Sequence, residues 1–113
     1  MVDARFDSLL DAPSPAVLTT YKRDGSALTS PVWFRYHEDA LEVVVAAGDV
    51  KLQHLARDPS ASLTVFEATV PFRGVQTRGE PQLIERDVTD VRQAIASRYL
   101  GSVDGARFAA QRA

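Results

Sequence analysis

Cysteine is absent from this 113-residue chain, so neither a disulfide framework nor a thiolate metal site is available to it. A cysteine-free composition fits the cytoplasm, where we expect the protein to reside. An excess of charge of one sign is also lacking, because 13 Lys and Arg residues face 15 Asp and Glu residues for a formal net charge of −2. Nucleic-acid binders usually carry a basic excess or stripe, so we expect no nucleic-acid partner.

Long apolar runs are missing near the N-terminus. The stretch from Met1 to Leu10 is interrupted by Asp3, Arg5 and Asp7, which predicts neither a signal peptide nor a membrane span. We therefore expect no membrane partner.

Histidine is scarce, with only His37 and His54 present. Two histidines without a paired-carboxylate pattern argue against a zinc site. No nucleophile-elbow pattern and no glycine-rich phosphate loop occurs either. The sequence thus assigns no catalytic side chain and no metal ligand, and any chemistry would have to come from a cofactor.

Short strands punctuated by turns dominate the chain, whose length predicts one domain. Asp24-Gly25 between two apolar runs predicts a hairpin, because glycine supplies the positive φ that the turn needs. Pro31 has no N–H for a sheet ladder, so it predicts an edge, a bulge or a bend. The predicted strands cover residues 16–21, 27–36, 41–46, 61–67 and 72–84. Together they predict a mainly β fold, a closed or nearly closed β-barrel with few helices. The alternative is an open antiparallel sheet covered by a C-terminal helix.

Helical signals occur in three places. Phe6, Leu9 and Leu10 have the spacing of a short amphipathic helix. Residues 50–57 predict a short helix between strands, with Leu52, Leu55 and Ala56 as its buried stripe and His54 on its polar face. Residues 87–101 predict a C-terminal helix with Asp87 as N-cap and Gly101 as C-cap. Beyond it, residues 102–113 predict partial helix or disorder, with Phe108 as the large apolar anchor.

A candidate anion site lies where the helix at residue 50 begins. The first N–H groups of a helix lack internal partners and its dipole favours anions, and Lys51 adds a full positive charge. These features suit a phosphate, although the carboxylate of Asp49 would repel one unless it points away. The alternative is a solvated surface lysine.

Two further segments are candidates for ligand contacts. The run from Thr29 to Phe34 combines hydroxyls, a ladder-breaking proline and two large rings, which suits a planar heterocycle. The alternative is a core strand with a kink at the sheet edge. Arg73 or Arg78 could reach an anionic ligand, and the alternative for both is a surface ion pair.

In their order and spacing, the segments LTTYKRDGSALTSPVWF, VKLQHLARDPSASLTV and TRGEPQL resemble the pyridoxamine 5′-phosphate oxidase-like superfamily of split β-barrel proteins. Within it the chain looks most like the small flavin/deazaflavin oxidoreductases. The resemblance covers about residues 6–100. It implies a single split-barrel domain over residues 1–113 that forms a homodimer with cofactor sites at the subunit interface, and it implies FMN or coenzyme F420 as cofactor.

The resemblance also implies residue roles. The segment that lines the cofactor ring in the family corresponds to Thr29, Ser30, Pro31, Val32 and Trp33, followed by Val45 and Ala46 at the end of the third strand. The phosphate-binding lysine corresponds to Lys51. Two residues of the fifth strand correspond to Arg73 and Gly74. Many relatives carry arginine or serine just before the lysine, where this chain has Asp49-Val50.

The function expected from the resemblance is hydride transfer between the bound cofactor and a small organic substrate. The alternative on the same fold is a cofactor-binding or carrier protein without turnover. A haem-binding split barrel is a third hypothesis, and it would need His37 or His54 as a histidine axial ligand.

Overall fold

A computed structural model describes residues 6–111 of the chain. Antiparallel strands joined by few helices make up the fold, as predicted. The elements are, in order, α1 (Asp7–Asp11), β1 (Ala16–Tyr21), β2 (Ala27–Val32), β3 (Arg35–His37), β4 (Ala40–Glu42), α2 (Val50–Arg57), β5 (Ala61–Phe66), β6 (Gly74–Gly79), α3 (Thr89–Leu100) and α4 (Ser102–Gln111).

Contacts within the chain divide it into two compact units, each built from segments that are separate in sequence. Within the described residues, the sheet unit comprises residues 14–32 and 45–83, and the helical unit comprises residues 6–13, 33–44 and 84–111. The single domain expected over residues 1–113 stays a prediction.

The sheet unit contains a four-stranded antiparallel sheet in the order β2–β1–β5–β6. The predicted hairpin between β1 and β2 is present, with Gly25 at φ 86° and with the N–H of Lys22 donating to the carbonyl of Ser26 at 2.8 Å. The N–H of Gly25 in turn donates to the carbonyl of Lys22 at 2.9 Å. Glycine is needed at this position because a side chain rarely tolerates the left-handed region.

The last strand of this sheet is shorter than predicted. The expected strand over residues 72–84 is wrong before Gly74 and beyond Gly79, where β6 begins and ends. Pro81 follows two residues later and cannot donate to a ladder, which gives the physical reason. All residues of β6 except Val75 are exposed.

The buried core of the sheet unit includes Ala16 and Thr20 on β1 and Leu63 and Val65 on β5. Helix α2 has the predicted bounds, but its buried face differs from the predicted stripe. Leu55 is buried as expected, whereas Ala56 is exposed and His54, expected on the polar face, is buried.

Two predicted strands are shorter in the structure than expected. The strand expected over residues 27–36 is interrupted at Trp33 and Phe34, since β2 ends before them and β3 begins after them. The strand expected over residues 41–46 ends at Glu42, and Val43 to Val45 are half-buried rather than buried on both faces. The break has a packing reason, because the Phe34 side chain is fully buried within this unit.

The predicted turn between His37 and Ala40 is present as a two-residue hairpin loop. Its central residues, Glu38 and Asp39, have φ values of 51° and 61°. Such loops normally carry asparagine or glycine, which adopt positive φ more easily. The Asp39 carboxylate accepts a hydrogen bond from the Tyr36 hydroxyl at 3.0 Å.

Helix α3 has Val88 as its N-cap, so the predicted N-cap at Asp87 is wrong by one residue. The Asp87 carboxylate accepts instead from the N–H and the hydroxyl of Thr89 at 2.9 and 2.7 Å, in a turn just before the helix. Gly101, at φ 88°, ends the helix as predicted. Of the two alternatives predicted for the segment that follows, partial helix or disorder, the structure shows the helix, α4, up to Gln111. Residues 112–113 lie outside the described residues. None of the helices between residues 6 and 111 has the length and apolarity needed to cross a membrane.

Candidate functional site

The predicted anion site at the start of α2 is occupied by a side chain of the protein itself. Asp49 is the N-cap, and its Oδ1 accepts from the N–H of Lys51 at 2.9 Å. Its Oδ2 lies 3.0 Å from Lys51 Nζ, and the two side chains are only 25% and 14% exposed. Lys51 is therefore not a solvated surface lysine, and both the helix N-terminus and its ammonium already face a carboxylate.

The Asp49 carboxylate is charged at neutral pH. The hydrogen bond from the N–H of Lys51 lowers its pKa, the pairing with the Lys51 side chain acts in the same direction, and partial burial opposes both. An incoming phosphate must therefore compete with Asp49 for Lys51 and for the first N–H groups of α2.

Helix α2 is fixed to β1 by two polar contacts. The buried His54 Nδ1 lies 2.9 Å from the hydroxyl of Thr20, and Arg57 Nη2 donates to the carbonyl of Tyr21 at 2.9 Å. Sequence reasoning missed the first contact because a histidine beside polar residues does not extend an apolar stripe. Of the two histidines considered as haem ligands, His54 is 8% exposed with Nδ1 engaged. His37 lies beside the exposed turn, with Nε2 3.7 Å from the Glu38 carboxylate.

The predicted ring-lining segment lies on the edge strand β2. Thr29 and Pro31 are exposed, whereas Ser30 and Val32 are half-buried on the opposite face, as the period of a strand requires. Of the edge, bulge or bend predicted from Pro31, the structure shows an edge, since β2 is the outermost strand of the sheet and pairs with β1. An edge strand directs one row of backbone groups away from its sheet, where a ligand can meet them.

Trp33 is packed within the helical unit. Its ring stacks on Tyr99 with centroids 5.2 Å apart and an interplanar angle of 11°, and it meets Phe108 at 5.2 Å in a tilted arrangement. Phe34 lies beneath the guanidinium of Arg98, 4.8 Å from its ring centroid. Both rings that were candidates for packing on a heterocycle therefore contact side chains of their own unit.

The residues predicted at the end of the third strand lie in the connection to α2. Val45 is half-buried and Ala46 is exposed. The carbonyl of Ala46 accepts from the N–H of Asp49 at 3.0 Å, so this segment forms the turn that leads directly into the Asp49–Lys51 pair.

Arg73 forms a two-pronged pair with Glu67 at the base of the β5–β6 connection. Its Nε and Nη2 donate to the two carboxylate oxygens at 3.0 and 3.2 Å, and its N–H donates to Oε1 at 2.9 Å. These contacts lower the pKa of Glu67 and raise that of Arg73. Arg78 likewise donates to a neighbour, the Gln76 side chain, at 3.2 Å.

Gly74, next along the chain, begins β6 in close contact with β5. A Cβ added there would lie 3.2 Å from the carbonyl oxygen of Val65 and 3.3 Å from Phe66 Cβ. Glycine thus permits the closest approach of the two strands where the β5–β6 connection ends.

The strand register brings two of the predicted segments to the same end of the sheet. Val32, Ala16, Val65 and Val75 lie in one row across the four strands. The β2 end of the row carries Pro31 and Val32, and its β6 end carries Arg73 and Gly74. Three strand spacings of about 4.8 Å separate the two edges by about 14 Å. Trp33 belongs to the other unit.

A separate cleft lies at the opposite end of the same sheet. It has a volume of about 320 Å³, and its lining includes Tyr21, Ser62, Arg78 and Glu80. None of the predicted cofactor residues lines it. Within residues 6–111, no three His, Asp or Glu side chains converge as a metal site would require.

Comparison with known proteins identifies relatives of the chain. A protein-family model described as "Pyridoxamine 5'-phosphate oxidase" matches residues 2–113. A search among curated proteins finds no significant match.

Several solved structures are similar to this fold. One is the conserved hypothetical protein Rv2991 from Mycobacterium tuberculosis, with a TM-score of 0.81 and 20% identity, covering 99% of this chain and 74% of that one. A protein named F420 reductase follows, with a TM-score of 0.71 and 24% identity over 94% of this chain and 79% of its own. HutZ, the haem storage protein from Vibrio cholerae, has a TM-score of 0.68 and 15% identity over 92% of this chain and 80% of its own. At these identities the likenesses show the fold, which is the split β-barrel expected from the sequence.

Proposed function

The chain belongs to the pyridoxamine 5′-phosphate oxidase family, and from that premise we propose that it is an oxidoreductase with a flavin-type cofactor, FMN or coenzyme F420. The reaction we propose is hydride transfer between that cofactor and a small organic substrate. The observation that carries the proposal is the family match over residues 2–113. The structural likeness to a protein named F420 reductase adds support for the deazaflavin.

The sheet unit supplies groups that fit the ring end of such a cofactor. The outward backbone row of β2 offers hydrogen-bonding groups beside Ser30 and Val32, which would orient a flat heterocycle. The cofactor supplies the hydride chemistry when bound, and the protein supplies position and the exclusion of water. No side-chain acid or base is required of the chain in this proposal.

Lys51 and the N-terminus of α2 fit the phosphate end, with one condition. Because Lys51 Nζ is paired with Asp49 at 3.0 Å, binding would exchange one anionic partner for another. The net gain in binding free energy is the difference between the Lys51–phosphate pairing and the Lys51–Asp49 pairing. Asp49 therefore sets how tightly a phosphate is held.

Exposed apolar side chains support the homodimer that we propose with this function. Leu83 and Ile84 are 56% and 62% exposed, and Leu100 and Val103 are 40% and 70% exposed. Leu83 and Ile84 are consecutive and Leu100 and Val103 are three positions apart, and neighbouring exposed apolar side chains are typical of protein–protein contacts. Sedimentation at micromolar concentration should give twice the chain mass, and a monomer would contradict the dimer. The cysteine-free composition supports the cytoplasm as the proposed location.

Titration with each cofactor tests the proposal. Purified protein should bind FMN or F420, and mass spectrometry of the co-purified small molecule should identify which. Lys51→Ala should weaken binding by about 1.5–3 kcal/mol, because the lost contact is charge-assisted. Lys22→Ala, which removes the lysine of the exposed β1–β2 turn, is the matched control and should bind normally. Equal affinities for the two variants would remove Lys51 from the site.

Asp49→Asn tests the exchange of partners. Asparagine keeps an N-cap acceptor but removes the charge, so Lys51 becomes free for a phosphate. We expect cofactor binding to tighten several-fold, and unchanged or weaker binding would contradict the competition.

A measurement of turnover distinguishes the proposed enzyme from the carrier alternative. The internal Asp49–Lys51 pair favours the carrier. With excess reductant and acceptor, an oxidoreductase cycles many times for each bound cofactor. A carrier would hold the cofactor and give no turnover.

A further inference from the structure

We propose that two copies of the chain pair antiparallel along the outer edge of β6, with Arg78 opposite the partner subunit's Glu80. This inference rests on the homodimer of the proposed function and names the contact that forms it. In the sheet, β6 is the outermost strand on the side away from β2, and it pairs with β5 alone. All of its residues except Val75 are exposed.

The backbone of β6 directs a row of hydrogen-bonding groups away from the sheet. On β5, the N–H of Phe66 points to the β1 side, where it donates to the carbonyl of Pro15 at 3.1 Å. Gly74 lies opposite Phe66, so this pair makes no ladder bond and the backbone groups of Gly74 point outward. Because these directions alternate along paired antiparallel strands, the outward row consists of Gly74, Gln76 and Arg78.

The outer edge of β6 lacks the features that usually prevent strand addition. Proline, lysine and bulges protect exposed sheet edges, and the other edge strand of this sheet, β2, contains Pro31. Between Gly74 and Gly79 there is neither proline nor lysine, and the ladder with β5 is continuous over the whole strand. The β6 edge is therefore the edge of the sheet that can accept a further strand.

Two opposite charges lie at the end of this edge. Arg78 and Glu80 both line the cleft described above, so their side chains lie on one face of the sheet. Arg78 Nε donates to the Gln76 side chain at 3.2 Å. Within residues 6–111, neither Arg78 nor Glu80 forms an ion pair. Each copy thus offers a cation and an anion two positions apart, which a second copy can match reciprocally.

A two-fold axis at Gly79 pairs both charges at once. Arg78 then lies opposite the partner subunit's Glu80, and Glu80 lies opposite the partner subunit's Arg78, in hydrogen-bonded pairs with Cα atoms about 5.5 Å apart. Opposite charges directly across two antiparallel strands are stabilising, whereas like charges are destabilising. An axis one residue earlier would place the two Arg78 side chains against each other. The charges therefore select the register centred on Gly79.

The same register gives the residues after β6 a strand to pair with. Because β5 begins at Ala61, opposite Gly79, residues 80–82 have no strand beside them in the described part of a single copy. In the pair, Gln82 lies opposite the partner subunit's Gln76. Pro81 falls at a position where the new ladder needs no N–H. Pairing therefore extends β6 to Gln82, within the strand that the sequence predicts over residues 72–84.

Charge reversal tests this contact by sedimentation equilibrium over a concentration series, with no cofactor added. Arg78→Glu and Glu80→Arg each place two like-charged pairs across the contact, so each should raise the dimer dissociation constant about tenfold. The double variant Arg78→Glu/Glu80→Arg restores both ion pairs and should return to within about threefold of wild type. An equimolar mixture of the two single variants should also dimerise, because it pairs an acidic edge with a basic one.

A matched control and a second measurement accompany the charge reversals. Arg23→Glu makes the same change of charge at the exposed β1–β2 turn, and it should leave the dissociation constant within about twofold of wild type. In hydrogen exchange, the amides of Gln76 and Arg78 should exchange more slowly as the wild-type concentration rises and the new ladder forms.

Three outcomes would count against the contact. A wild-type dimer that every charge reversal leaves unchanged must form through another surface. Single variants that neither the double variant nor the mixture restores would show that the two charges do not face each other. A monomeric wild type would overturn the contact together with the proposed homodimer. Failure of the dimer to bind FMN or F420 would overturn the proposed oxidoreductase, and the contact would stand.

Discussion

The indole of Trp33 and the phenol of Tyr99 lie stacked within the helical unit, with an interplanar angle of 11° and centroids 5.2 Å apart. The contact joins the segment that follows β2 to the helix α3. Trp33 is the single tryptophan of the chain. Its fluorescence therefore reports the packing of this unit without interference.

Replacing Tyr99 should show how much the stack contributes. Tyr99→Leu removes the ring, and we expect a loss of about 1–2 kcal/mol in the free energy of unfolding together with a red shift of Trp33 emission. Tyr99→Phe keeps the stack and removes the hydroxyl, which accepts a long hydrogen bond of 3.4 Å from the N–H of Phe34, so it should cost less. Chemical denaturation followed by Trp33 fluorescence measures both, and equal costs would argue against the stack.

The Asp49 carboxylate should make stability depend on pH. Its pKa is lowered in the folded state, chiefly by the hydrogen bond from the N–H of Lys51. The stabilisation is present above the unfolded pKa of an aspartate, near 3.9, and is lost as the pH falls through the folded value. The free energy of unfolding of the wild type should exceed that of Asp49→Asn by about 0.5–1 kcal/mol at pH 7.

Denaturant titrations between pH 7 and pH 2.5 check this. The difference between the two proteins should persist down to about pH 4 and then shrink as the folded carboxylate is protonated. A difference that stays constant at every pH would assign the effect to something other than the charge of Asp49.

Arg98 holds three backbone carbonyls together in the helical unit. Its guanidinium donates to the carbonyls of Phe34, Leu10 and Ala12. Lysine has no planar fork to reach all three, so Arg98→Lys should lower the free energy of unfolding by about 2–3 kcal/mol. Arg107→Lys, in an exposed pair with Asp104, should cost less than about 0.5 kcal/mol, and chemical denaturation measures both variants. Similar losses for both would contradict the role of the fork.

Gly105 allows α4 to approach α3 closely. A Cβ at this position would lie 2.6 Å from both the Cα and the backbone nitrogen of Ser97. Although alanine favours helices by about 1 kcal/mol over glycine, Gly105→Ala should destabilise the protein by about 1–3 kcal/mol because the helices must separate.

A second substitution sharpens the Gly105 experiment. Ser97→Ala removes the hydroxyl that would clash but leaves the backbone atoms in place. It should therefore fail to rescue Gly105→Ala. Full recovery of the melting temperature in the double variant would show that only the hydroxyl was in the way.

The sequence predicted correctly those elements that begin or end at a turn residue or a helix cap. The bounds of β1 and α2, the Asp24-Gly25 hairpin and the Gly101 cap follow from turn residues and helix ends. The break at Trp33 and Phe34 has no such signal, since aromatic residues favour strands and only packing against distant helices removes them from one. For helix α4 the sequence left partial helix and disorder open, and packing against α3, with Gly105 close to Ser97, stabilises the helix.

The interactions of the candidate residues were less predictable than the strands that carry them. The register brings the Thr29–Val32 and Arg73–Gly74 segments to one end of the sheet, and their part in a cofactor site stays a prediction. The Lys51–Asp49 and Arg73–Glu67 ion pairs depend on the backbone conformation of the turns, which sets the direction of each side chain. The buried His54–Thr20 contact joins residues 34 positions apart, which local periodicity does not encode.

The hydrogen bond between Arg98 and the carbonyl of Leu10 joins residues 88 positions apart, so it cannot form until most of the chain has been synthesised. At about 5–20 residues per second, Leu10 is synthesised roughly 4–18 seconds before Arg98. All strands of the four-stranded sheet are synthesised within that interval, ahead of α3. Leu10 and Phe34, which are fully buried in the finished protein, therefore cannot reach their final packing until α3 has left the ribosome.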